Sequence, residues 1–127
     1  MSKVVLDASA LLAVIFDEPG AENLTDEILE SAVISTVNLA EVQSKLIKKG
    51  YEPEEAWDDA LALVQAEHFT PEQAKIAGTL IQKTESRGLS LGDRSCLALA
   101  IALKAEVYTT EQIWKGLKVG VPIHVIR

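Results

Sequence analysis

Residues 4–16, VVLDASALLAVIF, decide how this chain is read. Val4, Val5 and Leu6 suit a buried, pleated strand, and they deliver Asp7 into the small residues Ala8 and Ser9. An apolar helical pattern restarts at once with Ala10, Leu11, Leu12, Ala13, Val14 and Ile15. A strand that ends in a carboxylate and turns directly into a helix is the opening step of an α/β fold. Asp7 therefore stands at a strand's carboxyl end, the edge where open parallel sheets bind ligands, and it is the first candidate for chemistry.

Outward from that stretch, Pro19 and Gly20 break the chain, and residues 21–30 read as a short acidic helix with Leu24, Ile28 and Leu29 inward. Val33 and Ile34 make a second strand. Ser35, Thr36 and Asn38 then open a helix carrying Leu39, Val42, Leu46 and Ile47, which Gly50 ends. Pro53 starts a helix expected to reach about Ala66, with Ala56, Trp57, Ala60, Leu61 and Val64 as its apolar stripe, and a short strand is expected at His68 and Phe69. Thr70-Pro71-Glu72-Gln73 combines a capping residue, a first-turn proline and a capping-box Gln, predicting a helix to about Arg87 before Gly88. Leu89 to Gly92 connects to Asp93. The run Cys96–Leu103 is hydrophobic on every side, as a central buried helix requires. Val107–Thr109, Glu111–Leu117 and Ile123–Ile126 read as strand, short helix and strand. The expected fold is a single α/β domain over residues 1–127, with a mostly parallel sheet of four or five strands and helices on both faces.

The 127 residues suffice for one packed domain, and the lone Cys96, inside an apolar run, excludes an internal disulfide. No apolar run approaches the ~20 residues of a membrane span, and the start of the chain has no signal-peptide pattern, so a cytoplasmic protein without a membrane partner is expected. The net charge of −7 argues at first against nucleic acid. Its distribution weakens that argument. Residues 17–30 and 52–59 hold 11 of the 19 acids and no Lys or Arg, which leaves 8 acids against 12 bases elsewhere.

Four acids stand at comparable places: Asp7 after the first strand, Glu41 early in a helix, Asp93 at another helix start, and Glu111 directly after a strand. Converging on one edge, they would offer oxygen-only ligands, which suit Mg²⁺ or Mn²⁺; a zinc site would want ligand spacing that His68, His124 and Cys96 lack. The chemistry implied is metal-assisted hydrolysis. A purely structural role competes at each position, since acids in a first helical turn satisfy free N–H groups. Asn38 with Glu41 and Ser90 with Asp93 both fit capping boxes, and Glu41 could pair with Lys45.

The chain resembles the PIN-domain family, specifically its VapC-type toxin ribonucleases, in LDASALLAVIFDEPG, STVNLAEV, LSLGDRSCLALA and YTTEQIW, taken in order along its whole length. The resemblance implies Mg²⁺- or Mn²⁺-dependent cleavage of single-stranded regions of RNA by a homodimer held in check by a cognate antitoxin. By position, Asp7, Glu41 and Asp93 match the family's metal-holding acids, and Ser9 matches a small hydroxyl residue beside the first. The fourth position departs, because Glu111 stands where Asp is usual. Lys45, Arg94 and Lys115 are expected to meet substrate, with Lys48 and Lys118 as further bases. Trp57 is assigned to the core, and Trp114 to either core or rim. Leu11, Leu12 and Val14 offer a weak motive for self-association.

Rival readings are a Mg²⁺-dependent phosphatase, which wants a second Asp where Ser9 stands, a receiver domain, which wants paired acids before its phosphorylated Asp, and a catalytically silent PIN-fold binding module.

Overall fold

The computed structural model describes residues 2–127. Five strands, β1 (Val4–Leu6), β2 (Ala32–Ser35), β3 (Gln65–Glu67), β4 (Glu106–Thr109) and β5 (Ile123–Val125), form one sheet in the order β3-β2-β1-β4-β5. Every pairing is parallel, with Val5 registered against Val33 on one side and Val107 on the other. The expectation of a mostly parallel sheet is thus met without an antiparallel strand. β1 lies at the centre, and the chain builds β2 and β3 to one side of it before β4 and β5 fill the other. The reversal opens a crevice outside the carboxyl ends of β1 and β4, the position where such sheets bind ligands.

Alternation along β1 divides the interior in two. Val4 and Leu6 join one core with Ile34 and the inward residues of helices α1 (Ala8–Ile15), α3 (Thr36–Lys48) and α4 (Pro53–Leu61). Val5, Val33 and Val107 join a second core on the other face with α7 (Leu91–Leu103) and Trp114. Helices α5 (Pro71–Thr79) and α6 (Ile81–Thr84) lie outside α7, and α2 (Asp26–Glu30) follows a 3₁₀ turn at Ala21–Asn23. The strand residues of β1 and β2 are buried on both faces, as a sheet covered by helices demands.

Several boundaries differ from the sequence reading. α4 stops at Leu61, and the third strand is Gln65–Glu67 rather than His68–Phe69. β3 is an edge strand with two exposed residues, so pairing with β2 makes it a strand and no hydrophobic pattern announces it. The buried stripe of α4 is Ala56 and Ala60, small residues that let it lie against α3. Trp57 is exposed rather than core, as are Leu61 and Ile47. The helix from Pro71 breaks at Leu80 into α5 and α6. The stretch after Glu111 is only a 3₁₀ turn, Gln112–Trp114, whose Trp114 is wholly buried, which settles its place in the core. Burial of α7 on all sides holds for Cys96–Ala100, while Leu103 reaches the surface. Of the three α1 residues named for self-association, Leu11 and Leu12 are interior and Val14 is half-buried.

Candidate active site

Asp7 is the most firmly held acid. Its Oδ1 accepts from the Ala10 backbone N at 2.8 Å, which makes it the N-cap of α1, and from Ser9 Oγ at 2.7 Å. Its Oδ2 accepts from Thr109 Oγ1 at 2.6 Å. Only 3% of the residue is exposed. Burial pushes its pKa from 3.8 up to about 6; the bonds from Thr109, Ala10 and Ser9 pull the other way, and the charge of Asp93 adds to the rise. Thr109, at the end of β4, also accepts from the Glu111 backbone N at 3.0 Å, and Ser9 Oγ accepts from Thr110 N at 3.0 Å. Two hydroxyls thereby tie the carboxyl ends of β1 and β4 together.

Glu41 and Asp93 come from helices on opposite faces of the sheet. The side chain of Asn38, 1% exposed, donates from Nδ2 both to Glu41 Oε1 at 2.8 Å and to the Gly92 carbonyl at 2.9 Å, leaving its own Oδ1 without a partner. A Cβ on Gly92 would lie 2.5 Å from Glu41 Oε2, so the carboxylate rests against the bare backbone of α7's first turn. Asn38 does not cap α3: that role belongs to Ser35, whose hydroxyl accepts from Val37 N at 3.2 Å. The expected Asn38–Glu41 capping box is instead a clamp between α3 and α7. The Ser90–Asp93 box is present, with Asp93 Oδ2 accepting from Ser90 N at 2.9 Å.

Beneath the acids, burial pushes the Cys96 thiol well up, and the charges of Asp7, Asp93 and Glu41 push it further. Asp7 itself feels the charge of Asp93, and Asn38 links Glu41 to the first turn of α7, but among the described residues no three acidic, His or Cys side chains are drawn into a metal-binding group. The ion pairs among the described residues, Lys3–Glu67, His124–Glu106 and Arg127–Glu18, involve none of the three. A set of oxygen donors without a counter-charge, one of them strongly desolvated, suits a hard divalent cation that would draw it together.

A cleft of about 660 Å³ opens beside Asp7, lined among others by Ser9, Lys45, Lys49 and Glu111. Of the residues expected to meet substrate, Ser9 and Lys45 line this cleft, whereas the acids Asp7, Glu41 and Asp93 do not. Glu111 is exposed at the rim, capping no N–H with its side chain. Arg94 turns instead to α5, donating to the Ala77 carbonyl at 2.8 Å, and Lys115 lies outside the cleft, its carbonyl taken by Arg87. Sequence reasoning missed Thr109, Gly92 and Lys49. A threonine two places before Glu111 and a glycine directly before Asp93 were the available signals.

The chain is thus an all-parallel α/β domain with a buried acid, Asp7, between β1 and α1, and with Glu41 of α3 set against the first turn of α7, which carries Asp93. The chain belongs to the PIN-domain family, whose pattern matches residues 4–118. No curated protein matches the sequence significantly. Among solved structures, a toxin–antitoxin complex from Klebsiella pneumoniae matches with a TM-score of 0.75 at 21% identity, covering 94% of this chain and 95% of that one. VapBC2 from Rickettsia felis, bound to a promoter DNA fragment, matches at 0.74 and 21%, covering 94% and 96%. VapC20 from Mycobacterium tuberculosis, a sarcin–ricin loop cleaving toxin, matches at 0.69 and 17%, covering 94% and 98%. At these identities the likeness is one of fold.

Proposed function

We propose that this PIN domain is a divalent-metal-dependent endoribonuclease, the VapC-type toxin of a toxin–antitoxin pair, acting on single-stranded RNA. The observation that carries the reading is Asp7, buried just past β1, bonded by Ser9, Ala10 and Thr109, subject to the charge of Asp93 and without a basic partner among the described residues. Asp7, Glu41 and Asp93 would hold Mg²⁺ or Mn²⁺, which when bound supplies an activated water and neutralises phosphate charge. The chain's own part is positional. Ser9 and Thr109 aim the Asp7 carboxylate, Asn38 and Gly92 set Glu41 against α7, and the Ser90 N–H holds one oxygen of Asp93. Glu111 completes the acid set from the rim, and Lys45 meets the RNA backbone.

An antitoxin partner, self-association as a homodimer and a cytoplasmic setting belong to the same reading. Support comes from the toxin–antitoxin complexes among the structural neighbours, and no helix of the described residues is long and apolar enough to cross a membrane. The test is cleavage of single-stranded RNA by the purified chain. Activity is expected with Mg²⁺ or Mn²⁺, and silence in chelator and for Asp93→Asn; cleavage that survives thorough chelation, or no cation binding by calorimetry, overturns the mechanism.

A further inference from the structure

The cleft beside Asp7 is built by two helix ends of the same design. α1 ends at Phe16 with Asp17 in the left-handed region (φ 51°), so that Glu18 N bonds Ala13 O at 2.8 Å and Asp17 N bonds Val14 O at 3.3 Å. α3 ends at Lys49 with Gly50 left-handed (φ 103°), so that Tyr51 N bonds Leu46 O at 3.1 Å and Gly50 N bonds Ile47 O at 2.9 Å. Each is a Schellman turn, which folds the following residue back over its own helix. Tyr51 and Phe16 line the cleft from these two ends and pack in part against the core.

Along α3 the charge changes sign at helical spacing. Glu41 faces the acid end, and Lys45 and Lys49 follow one and two turns further on, both lining the cleft and neither ion-paired among the described residues. Arg127, the cleft's other cation, is already paired with Glu18. Along α1, Phe16 lies seven residues, about 10 Å of helix, beyond Ser9, which bonds Asp7, so the aromatic end of the cleft stands at the reach of a neighbouring nucleotide from the Asp7 end. Unpaired lysines in a chain of net charge −7, set beside two aromatic rings, match single-stranded nucleic acid, whose backbone tracks cations while its bases stack on rings.

We infer that this cleft is the binding site for the nucleotide next to the bond that is cut, its base stacking on Tyr51 and Phe16 and its phosphates lying on Lys45 and Lys49. The inference rests on the nuclease reading and adds to it where the substrate strand lies and what it must offer, a base as well as a backbone.

The test uses the full chain carrying Asp93→Asn, with Mg²⁺, binding a fluorescent single-stranded oligoribonucleotide or an abasic strand of equal length, followed by anisotropy over a salt series. Tyr51→Leu, which keeps apolar packing but loses the ring, is expected to weaken the base-bearing strand about tenfold and leave the abasic strand unchanged, while Tyr51→Phe binds like its parent. Replacing both Lys45 and Lys49 by Gln is expected to weaken both strands and to flatten the salt slope by about 1.4, or ~0.7 for each phosphate no longer neutralised. Phe16→Leu repeats the ring test on the other wall should Tyr51→Leu lower the melting temperature. A parent that binds RNA with affinity untouched by either ring variant overturns the inference and leaves the cleft to another occupant, a protein segment included. A parent that binds no single-stranded RNA overturns the nuclease reading with it.

Discussion

Asp7 and Glu111 hold equivalent places, each just past the carboxyl end of one of two neighbouring parallel strands, yet they have become different groups. Asp7 is buried, bonded by Ser9, Ala10 and Thr109, and caps an eight-residue helix. Glu111 is exposed, and its side chain caps nothing at the head of a single 3₁₀ turn. The difference lies in the element that each strand leads into. A helix that packs back on the sheet buries the carboxylate at its start, whereas a surface turn leaves it in water. Thr109 joins the two, donating to Asp7 and accepting from the Glu111 backbone, so the fixed acid and the free one share a hydroxyl.

The largest effect should come from neutralising the fixed acid. Asp7→Asn is expected to abolish cleavage while making the metal-free protein more stable at neutral pH. The sign follows from linkage: a carboxyl raised from 3.8 to about 6 binds its proton more tightly in the folded state. The contribution of Asp7 to stability is then fully present below pH 3.8, is lost as pH rises from 3.8 to about 6, and amounts to about 3 kcal/mol. Melting temperatures in chelator across pH 4–8 should show this decline in the wild type and a flatter curve in Asp7→Asn. Equal slopes would mean that Asp7 is not the strained group.

Next in size is Gly92→Ala, which acts on the joint between α3 and α7. The added methyl meets the far end of the Glu41 side chain, which can move, so the fold should survive and the helix can gain up to about 1 kcal/mol from losing a glycine. The carboxylate should be displaced all the same. Cation affinity and cleavage are expected to fall by about 10- to 100-fold, the range typical of groups that orient metal ligands. Calorimetric titration of Mn²⁺ beside a thermal melt separates the two effects; unchanged affinity would show that Glu41 needs no such seat. Asn38→Ala should act on the same seat from the other side.

Thr109→Val keeps the shape of the β4 end and removes only the hydroxyl. Asp7 loses the bond that most restrains its pKa, so that value should climb above 6. An Asp7 that must ionise to hold the cation then needs more alkaline solution, and the acid limb of the pH–rate profile should move up by about one to two units, given roughly 1.5–3 kcal/mol for a hydrogen bond to a charged group. Rates at pH 8 should differ little from wild type. A profile that falls evenly at every pH would point to general damage at the β4 end instead.

The contrast also marks how far the sequence could be read. The VVLDAS step determined β1, Asp7 and the start of α1, because strand period, helix period and a small-residue junction agree there. Ser90 and Asp93 were legible for the same reason, a local capping pattern that the fold keeps. The Asn38–Glu41–Gly92 clamp was not, since its partners lie 54 residues apart and the local pattern suggested a cap that Ser35 supplies. β3 was misplaced because its pairing is with a distant strand and its own residues are polar. Arg94 looked like a substrate base from its place beside Asp93, but successive helical residues point apart, and its guanidinium meets α5.

The smallest effect should belong to Glu111, and the comparison with Asp7 sets its size. An exposed carboxylate loses little on reaching or leaving a cation, and no side-chain bond fixes where Glu111 points. Its field on the site is weakened by water, so Glu111→Gln should lower the cleavage rate by less than about tenfold, against complete loss for Asp7→Asn. Glu111→Asp sharpens the reading, because it keeps the charge and shortens the reach by one methylene. If Glu111 acts through water at the rim, the Asp variant should retain nearly all activity. If it reaches the cation directly, the shorter side chain should fail as badly as Gln, and Mn²⁺ affinity should fall with it. Wild-type rates and affinity in both variants would make this a three-acid site, with Glu111 serving only to start the turn that carries Trp114 into the core.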